Sequence, residues 1–108
     1  MPQSYPKGYF KVLRKEIKDA AFEELKKRKS VGEVRRLNIL FESKYGAIKY
    51  LSKEYALLLK RTKGNIPDTD NTLSVINEAV NAVLSAKNPA EIKRVIRLTG
   101  EKIRLFKI

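Results

Sequence analysis

A chain of 108 residues is the size of one domain. Lys and Arg number 24 against 12 Asp and Glu, and the net charge of +12 points to nucleic acid, an anionic membrane or an acidic protein partner. With no cysteine and no histidine there is no disulfide framework or thiolate metal site, and the commonest general base and metal ligand are missing. No apolar run approaches the ~20 residues of a membrane span and no signal-peptide pattern opens the chain, so a cytoplasmic protein without a membrane partner is expected. The Lys/Glu/Ile-rich make-up suits a thermophile.

Residues 1–8, MPQSYPKG, hold two prolines and a glycine and predict a flexible N-terminal arm. A first helix is predicted from about Tyr9 to Arg28, with Leu13, Ile17, Ala20, Ala21 and Leu25 on its apolar side. Lys11, Lys15, Lys18, Lys26 and Lys29 fall opposite, beside Glu16, Asp19 and Glu23. The cluster Lys26-Lys27-Arg28-Lys29 suits the negative end of the helix dipole. Ser30 followed by Glu33 reads as a capping box, opening a helix over about Val31–Ser43 with Val34, Leu37, Leu40 and Phe41 as its buried candidates.

The stretch Tyr45–Pro67 organises the chain. Ile48, Leu51, Tyr55, Leu58 and Leu59 share one side of a helix, and Lys49, Lys53, Lys60 and Lys63 line the other. Gly64, Asn65 and Pro67 stop it. Gly46 leaves two readings open, one helix through the glycine or two helices meeting there, because a helical glycine costs only about 1 kcal/mol.

Residues 64–71 form a loop. The next helix spans about Thr72–Ala86, with Leu73, Ile76, Ala79, Val80, Val83 and Leu84 inward. Residues 64–86 contain Asp68, Asp70 and Glu78 and no Lys or Arg, so this helix is the one least suited to phosphate. Asn88-Pro89-Ala90-Glu91 is a helix start. Ile92, Val95, Ile96, Thr99, Ile103 and Phe106 then recur at helical spacing, with Lys93, Arg94, Arg97 and Arg104 outside. The rival is a hairpin around Thr99-Gly100; the cap and the longer period favour helix.

No catalytic residues stand out. Glu23–Glu24 and Asp68–Asp70 are carboxylate pairs of the ordinary surface kind. Asp68, Asp70 and Asn71 offer oxygens to a cation but lack the glycine and distal glutamate of a calcium loop, so helix capping explains them better. Tyr5 and Tyr9 are candidates for base stacking, against the more ordinary reading as packing residues. Tyr45, Tyr50 and Tyr55 read as packing residues with wet hydroxyls. A lysine-rich helix face is often simply solvated. Here three helices each carry a basic face and the remaining helix carries none, and such faces, if they converge, form a groove that tracks a phosphate backbone.

Order and spacing also resemble a known family. Tyr9-Phe10 supplies an opening YF pair, SVGEVRRL carries Val34-Arg35-Arg36, and YLSKEYALLLKRTKGNIP supplies Lys53, Tyr55, Ala56, Arg61, Ile66 and Pro67. Over about residues 9–106 the chain resembles the small helical subunit of type III CRISPR effector complexes, of the Csm kind. It departs where that family commonly has A-G-R, here Leu59-Lys60-Arg61, and in a less aromatic last helix. The resemblance implies a non-catalytic subunit of an antiviral ribonucleoprotein. It implies copies that self-associate by stacking, other effector subunits as partners, and RNA held without cutting. By motif position it implies Arg35, Arg36, Lys53 and Arg61 as RNA contacts, to which the lysine row adds Lys49, Lys60 and Lys63.

The expected architecture is all-α, a single compact bundle of four to five helices over residues 1–108. The expected function is RNA binding and structural support, with no enzymatic activity and no cofactor or metal implied. The alternatives are a basic helical subunit of a DNA replication or transcription assembly, faintly similar to GINS subunits around PKGYFKVLRKEI, and a DNA-coating structural protein of an archaeal virus.

Overall fold

Four α-helices order the chain: α1 (Tyr9–Lys26), α2 (Val31–Arg61), α3 (Asn71–Ser85) and α4 (Pro89–Phe106). A computed structural model describes residues 5–27, 30–67 and 69–106, and no strand occurs among them. The all-α expectation holds, at four helices. Arg28 and Lys29 of the basic cluster and Asp68 of the loop lie outside the described residues.

α2 is the spine. Its 31 residues span ~46 Å at 1.5 Å per residue, close to the longest dimension of the molecule, 48 Å. It runs unbroken through Gly46, where an added Cβ would meet nothing within 4 Å. The glycine therefore costs its propensity alone, about 1 kcal/mol. Ile48 and Leu51, both fully buried, follow it directly and outweigh that, at ~1.5–3 kcal/mol per buried side chain.

The other helices are placed by this spine. α1 lies antiparallel along one flank, with Phe10 5.6 Å from the Tyr55 ring and Ile17 level with Tyr45. α3 runs antiparallel along the back, where Lys44 Nζ donates to the Leu84 carbonyl at 2.8 Å. α4 turns again and lies parallel to α2, bringing Pro89 beside Leu40 and Ile103 beside Leu58. Gly100 lies inside α4 against α2: a Cβ there would stand 3.4 Å from the Tyr50 hydroxyl, in ordinary contact. No α1 Cα comes within 8 Å of α3 or α4 among the described residues, so α2 joins the two sides. The core centres on Ile48, Leu51, Leu58, Leu73, Ile76 and Val83.

The helix ends follow local chemistry at three of the predicted places, two side-chain caps and one glycine. Asp70 caps α3, its Oδ1 accepting from the N–H groups of Thr72 at 2.8 Å and Leu73 at 3.2 Å. Asn88 accepts from the Glu91 N–H at 3.0 Å and Glu91 reaches back to the Lys87 N–H at 3.1 Å, which fixes the start of α4 and rules out the hairpin. α2 stops at Gly64, whose φ of +81° lets its N–H reach the Leu59 carbonyl at 2.8 Å. Ser30 takes the extended N-cap backbone of α2, but its side chain makes no capping hydrogen bond.

Several expectations are corrected by the packing. Val34, Leu37, Leu40 and Phe41 are half-buried. Leu40 and Phe41 pack against the core, but crevices at the start of α4 and along the α1 seam leave Leu37, Leu40 and Phe41 partly open. Ala20 and Leu84 are exposed, and Phe106, the last aromatic of α4, is 42% exposed. The predicted arm is not loose at Tyr5. The Tyr5 N–H donates to the Tyr55 hydroxyl at 3.0 Å, that hydroxyl lies 3.3 Å from the Tyr5 carbonyl, and the Tyr5 ring packs on Tyr9, Phe10 and Tyr55. Residues 1–4 of that arm lie outside the described residues.

Candidate nucleic-acid interface

Helical period decides where the lysines of α2 point. Lys49, Lys53, Lys60 and Arg35 fall within ~40° of one another and roughly 140–180° from Leu51 and Leu58, and all four are exposed. The row therefore faces directly away from α3, which carries no Lys or Arg. Among the described residues no carboxylate lies within ion-pairing distance of Lys49, Lys53, Lys60 or Lys63. Their ammonium groups serve no internal purpose that the fold displays.

The other predicted contacts sit differently. Arg36 is turned ~100° from Arg35 and borders the crevice that Leu40, Lys87 and Pro89 line at the start of α4. Arg61 is turned the same way from Lys60, and its guanidinium lies 3.6 Å from the Asp70 carboxylate. It thus braces the residue that caps α3. Lys63 follows the helix in a left-handed conformation, φ +56°, and is exposed just past its end.

The seam between α1 and α2 brings a second row alongside. At the end nearest Gly64, a crevice of about 450 Å³ is lined by Lys7, Lys11 and Arg14 from one bank and by Ser52, Ala56 and Leu59 of α2 from the other. Further along the seam a second crevice, about 350 Å³ and largely apolar, lies between Lys18 and Phe22 of α1 and Asn38, Glu42 and Tyr45 of α2. Lys18 Nζ stands 4.9 Å over the Tyr45 ring. Arg14, Lys18 and Phe22 are one helical ridge, four residues apart each time. Glu42 is the acid on the α2 bank of this seam.

α4 borders α2 from the opposite flank. Lys93, Arg97 and Arg104 fall within ~60° of Gly100, the residue packed beneath the Tyr50 hydroxyl. Burial raises the Tyr50 phenol, the Glu54 charge adds to this, and the nearby Arg104 opposes it. Arg97 is half of an exposed pair with Glu101 at 3.5 Å. The basic rows of α1, α2 and α4 thus lie side by side, with α3 behind, while Arg94, turned ~120° from Gly100, stands off the α4 row.

Sequence reasoning missed Lys7 and Arg14 as members of the interface. Lys7 fell in the predicted arm, and only the docking of Tyr5 sets it at the rim. Arg14 lies beside the apolar stripe of α1, where long basic side chains often cover a helix seam. Tyr45 and Tyr50 are half-buried and Tyr55 is buried, as packing residues. The phenol of Tyr5 is pushed well above its usual range, by burial first and then by the phenols of Tyr9 and Tyr55.

Asp70 spends its carboxylate on a helix cap and an arginine, and among the described residues no three carboxylates cluster as a metal site would need. No described helix is long and apolar enough to cross a membrane. No family model, curated protein or solved structure matches this chain.

Proposed function

We propose that the protein binds the phosphate backbone of a nucleic acid along the α1–α2 face, without reading sequence and without catalysing a reaction. The observation that carries this is the row of Lys49, Lys53 and Lys60, free of ion pairs among the described residues, beside a seam lined by Lys7, Lys11 and Arg14. A solvated lysine face needs no second basic row beside it. Phosphate oxygens spaced along a strand would meet ammonium and guanidinium groups from both rows, and each contact would release a condensed counterion.

The finer form of the proposal is an RNA-holding structural subunit of a type III CRISPR ribonucleoprotein. Its support is the motif resemblance around Val34-Arg35-Arg36 and Lys53 to Pro67. Lys49, Lys53, Lys60 and Arg35 would grip the strand, Lys63 would add a contact just past the helix end, and Arg61 would act through Asp70 on the loop that follows. Arg36 would contact RNA only from another side of the molecule.

The charge-reversed variant Lys49→Glu/Lys53→Glu/Lys60→Glu/Lys63→Glu tests the broad reading. It should lose RNA and DNA binding and keep the helical circular-dichroism spectrum. Full affinity in that variant would remove the α2 row as the binding surface. Tagged protein recovered from its host tests the finer form: repeat-derived CRISPR RNA and effector subunits should accompany it. Replication or virion proteins in their place would overturn the CRISPR assignment.

A further inference from the structure

We propose that the crevice at the Tyr5–Tyr9 stack is a pocket for one unpaired nucleobase. Resting on the backbone-binding reading above, this adds a contact that a single strand can make and a closed duplex cannot.

The crevice has the size, the floor and the rim for such a ligand. Its volume is about 450 Å³, inside the ~300–1,000 Å³ range of small-molecule sites. The floor is aromatic. Tyr5 and Tyr9 stack with ring centroids 4.5 Å apart and planes 21° apart, and among the described residues Tyr5 is the one ring stacked on Tyr9. The rim is cationic, with Lys7, Lys11 and Arg14 around the same crevice. A flat π-surface beside positive charge is what a base and its own phosphate require together.

The platform is also built before any ligand arrives. Tyr5 meets Tyr55 edge-on at 5.1 Å, and its N–H and carbonyl are both held by the Tyr55 hydroxyl. These bonds span 50 positions of sequence and have no role in the backbone-binding row of α2. They pin the residue that orders Tyr9 for stacking. In a duplex the bases stay stacked inside and offer only phosphates to the seam. A single strand can turn one base onto Tyr9 while its neighbouring phosphates reach Lys7 and Lys11 on one side and the α2 lysines on the other.

The test uses the full chain and fluorescence anisotropy at one salt concentration. Three probes are compared: a single-stranded RNA of about 12 nucleotides, within the ~4–16 nucleotide sites of single-strand binders; the same backbone with abasic positions; and the same strand in a blunt duplex. The natural strand should bind at least about 5-fold tighter than the abasic one, the lower end of what one stacked base contributes. Tyr9→Leu should cause a similar loss on the natural strand and none on the abasic strand or the duplex, and Tyr9→Phe should restore the affinity. Equal binding of natural and abasic strands overturns the pocket. If charge reversal on α2 still abolishes that binding, the backbone reading survives alone. Absence of binding to all three probes overturns both. The abasic comparison uses unaltered protein and can overturn the pocket even where Tyr9→Leu fails to fold, and Tyr9→Phe, which keeps the ring, should leave the preference for the natural strand intact.

Discussion

At the scale of single residues, two side chains do what no periodic pattern announces. Tyr55 is buried and ties its hydroxyl to the backbone of Tyr5, and Asp70 joins a helix cap to an arginine at the end of another helix. Asp70→Ala should lower stability by about 1 kcal/mol, the usual cost of a lost N-cap. Asp70→Asn keeps the cap and loses only the pair with Arg61, whose guanidinium is exposed although Asp70 is not, so it should cost less than the alanine variant, below about 1 kcal/mol. Equal destabilisation by both in denaturant melts would show that the Arg61 pair dominates.

The tyrosine cluster gives a prediction in pH. In the unfolded chain the phenols titrate near ~10. Burial, with Tyr9 and Tyr55 beside it, raises the Tyr5 phenol in the folded protein, and burial with Glu54 raises that of Tyr50. The native state therefore holds these protons more tightly than the unfolded chain does. Their contribution to stability is full below ~10 and is lost as pH rises through the higher folded values. Melting temperature should fall above that point, and phenolate absorbance of native protein should lag that of denatured protein. Coincident titrations in the two states would contradict the buried cluster.

At the scale of elements, α2 decides the architecture, and the sequence left its continuity open for a physical reason. A glycine penalty of about 1 kcal/mol lies within what flanking burial can outweigh, and burial is not written locally. Gly46 is exposed and nothing stands within 4 Å of a Cβ built there. Gly46→Ala should then stabilise the protein by roughly 0.5–1 kcal/mol, which for a domain of this size raises the melting temperature by a few degrees. A lower melting temperature would mean the helix bends or opens at that point.

α4 was legible from Asn88 and Glu91, whose capping chemistry is local and is found in place. Ser30 followed the same motif and makes no side-chain cap, so the pattern predicted the helix start without the bond. The half-burial of Val34, Leu37, Leu40 and Phe41 was not legible. Their spacing matches that of the core residues, and only the way α1 and α4 meet this end of α2 leaves crevices beside Leu37, Leu40 and Phe41. Tyr5 was misread for a similar reason, since its partner lies 50 residues away.

At the scale of the whole molecule, the feature that matters is the segregation of charge. α3 carries none of the Lys or Arg, and the basic faces of α1, α2 and α4 share the side opposite to it. The sequence showed which helices were basic, and helical period aligned Lys49, Lys53 and Lys60. It could not place Lys7 and Arg14 across the seam from them, because that depends on how α1 packs. Nor did motif position foresee that Arg36 and Arg61 turn away from the row.

The central claim is that this face binds phosphates, and the salt dependence of affinity tests it most directly. Log affinity for a single-stranded RNA should fall linearly with log salt for the unaltered protein. The variant Lys49→Gln/Lys53→Gln/Lys60→Gln should bind more weakly, with a slope reduced by roughly 2, from three phosphate contacts at ~0.7 each. A slope unchanged by the three substitutions would contradict the account and leave the lysine row as solvated surface.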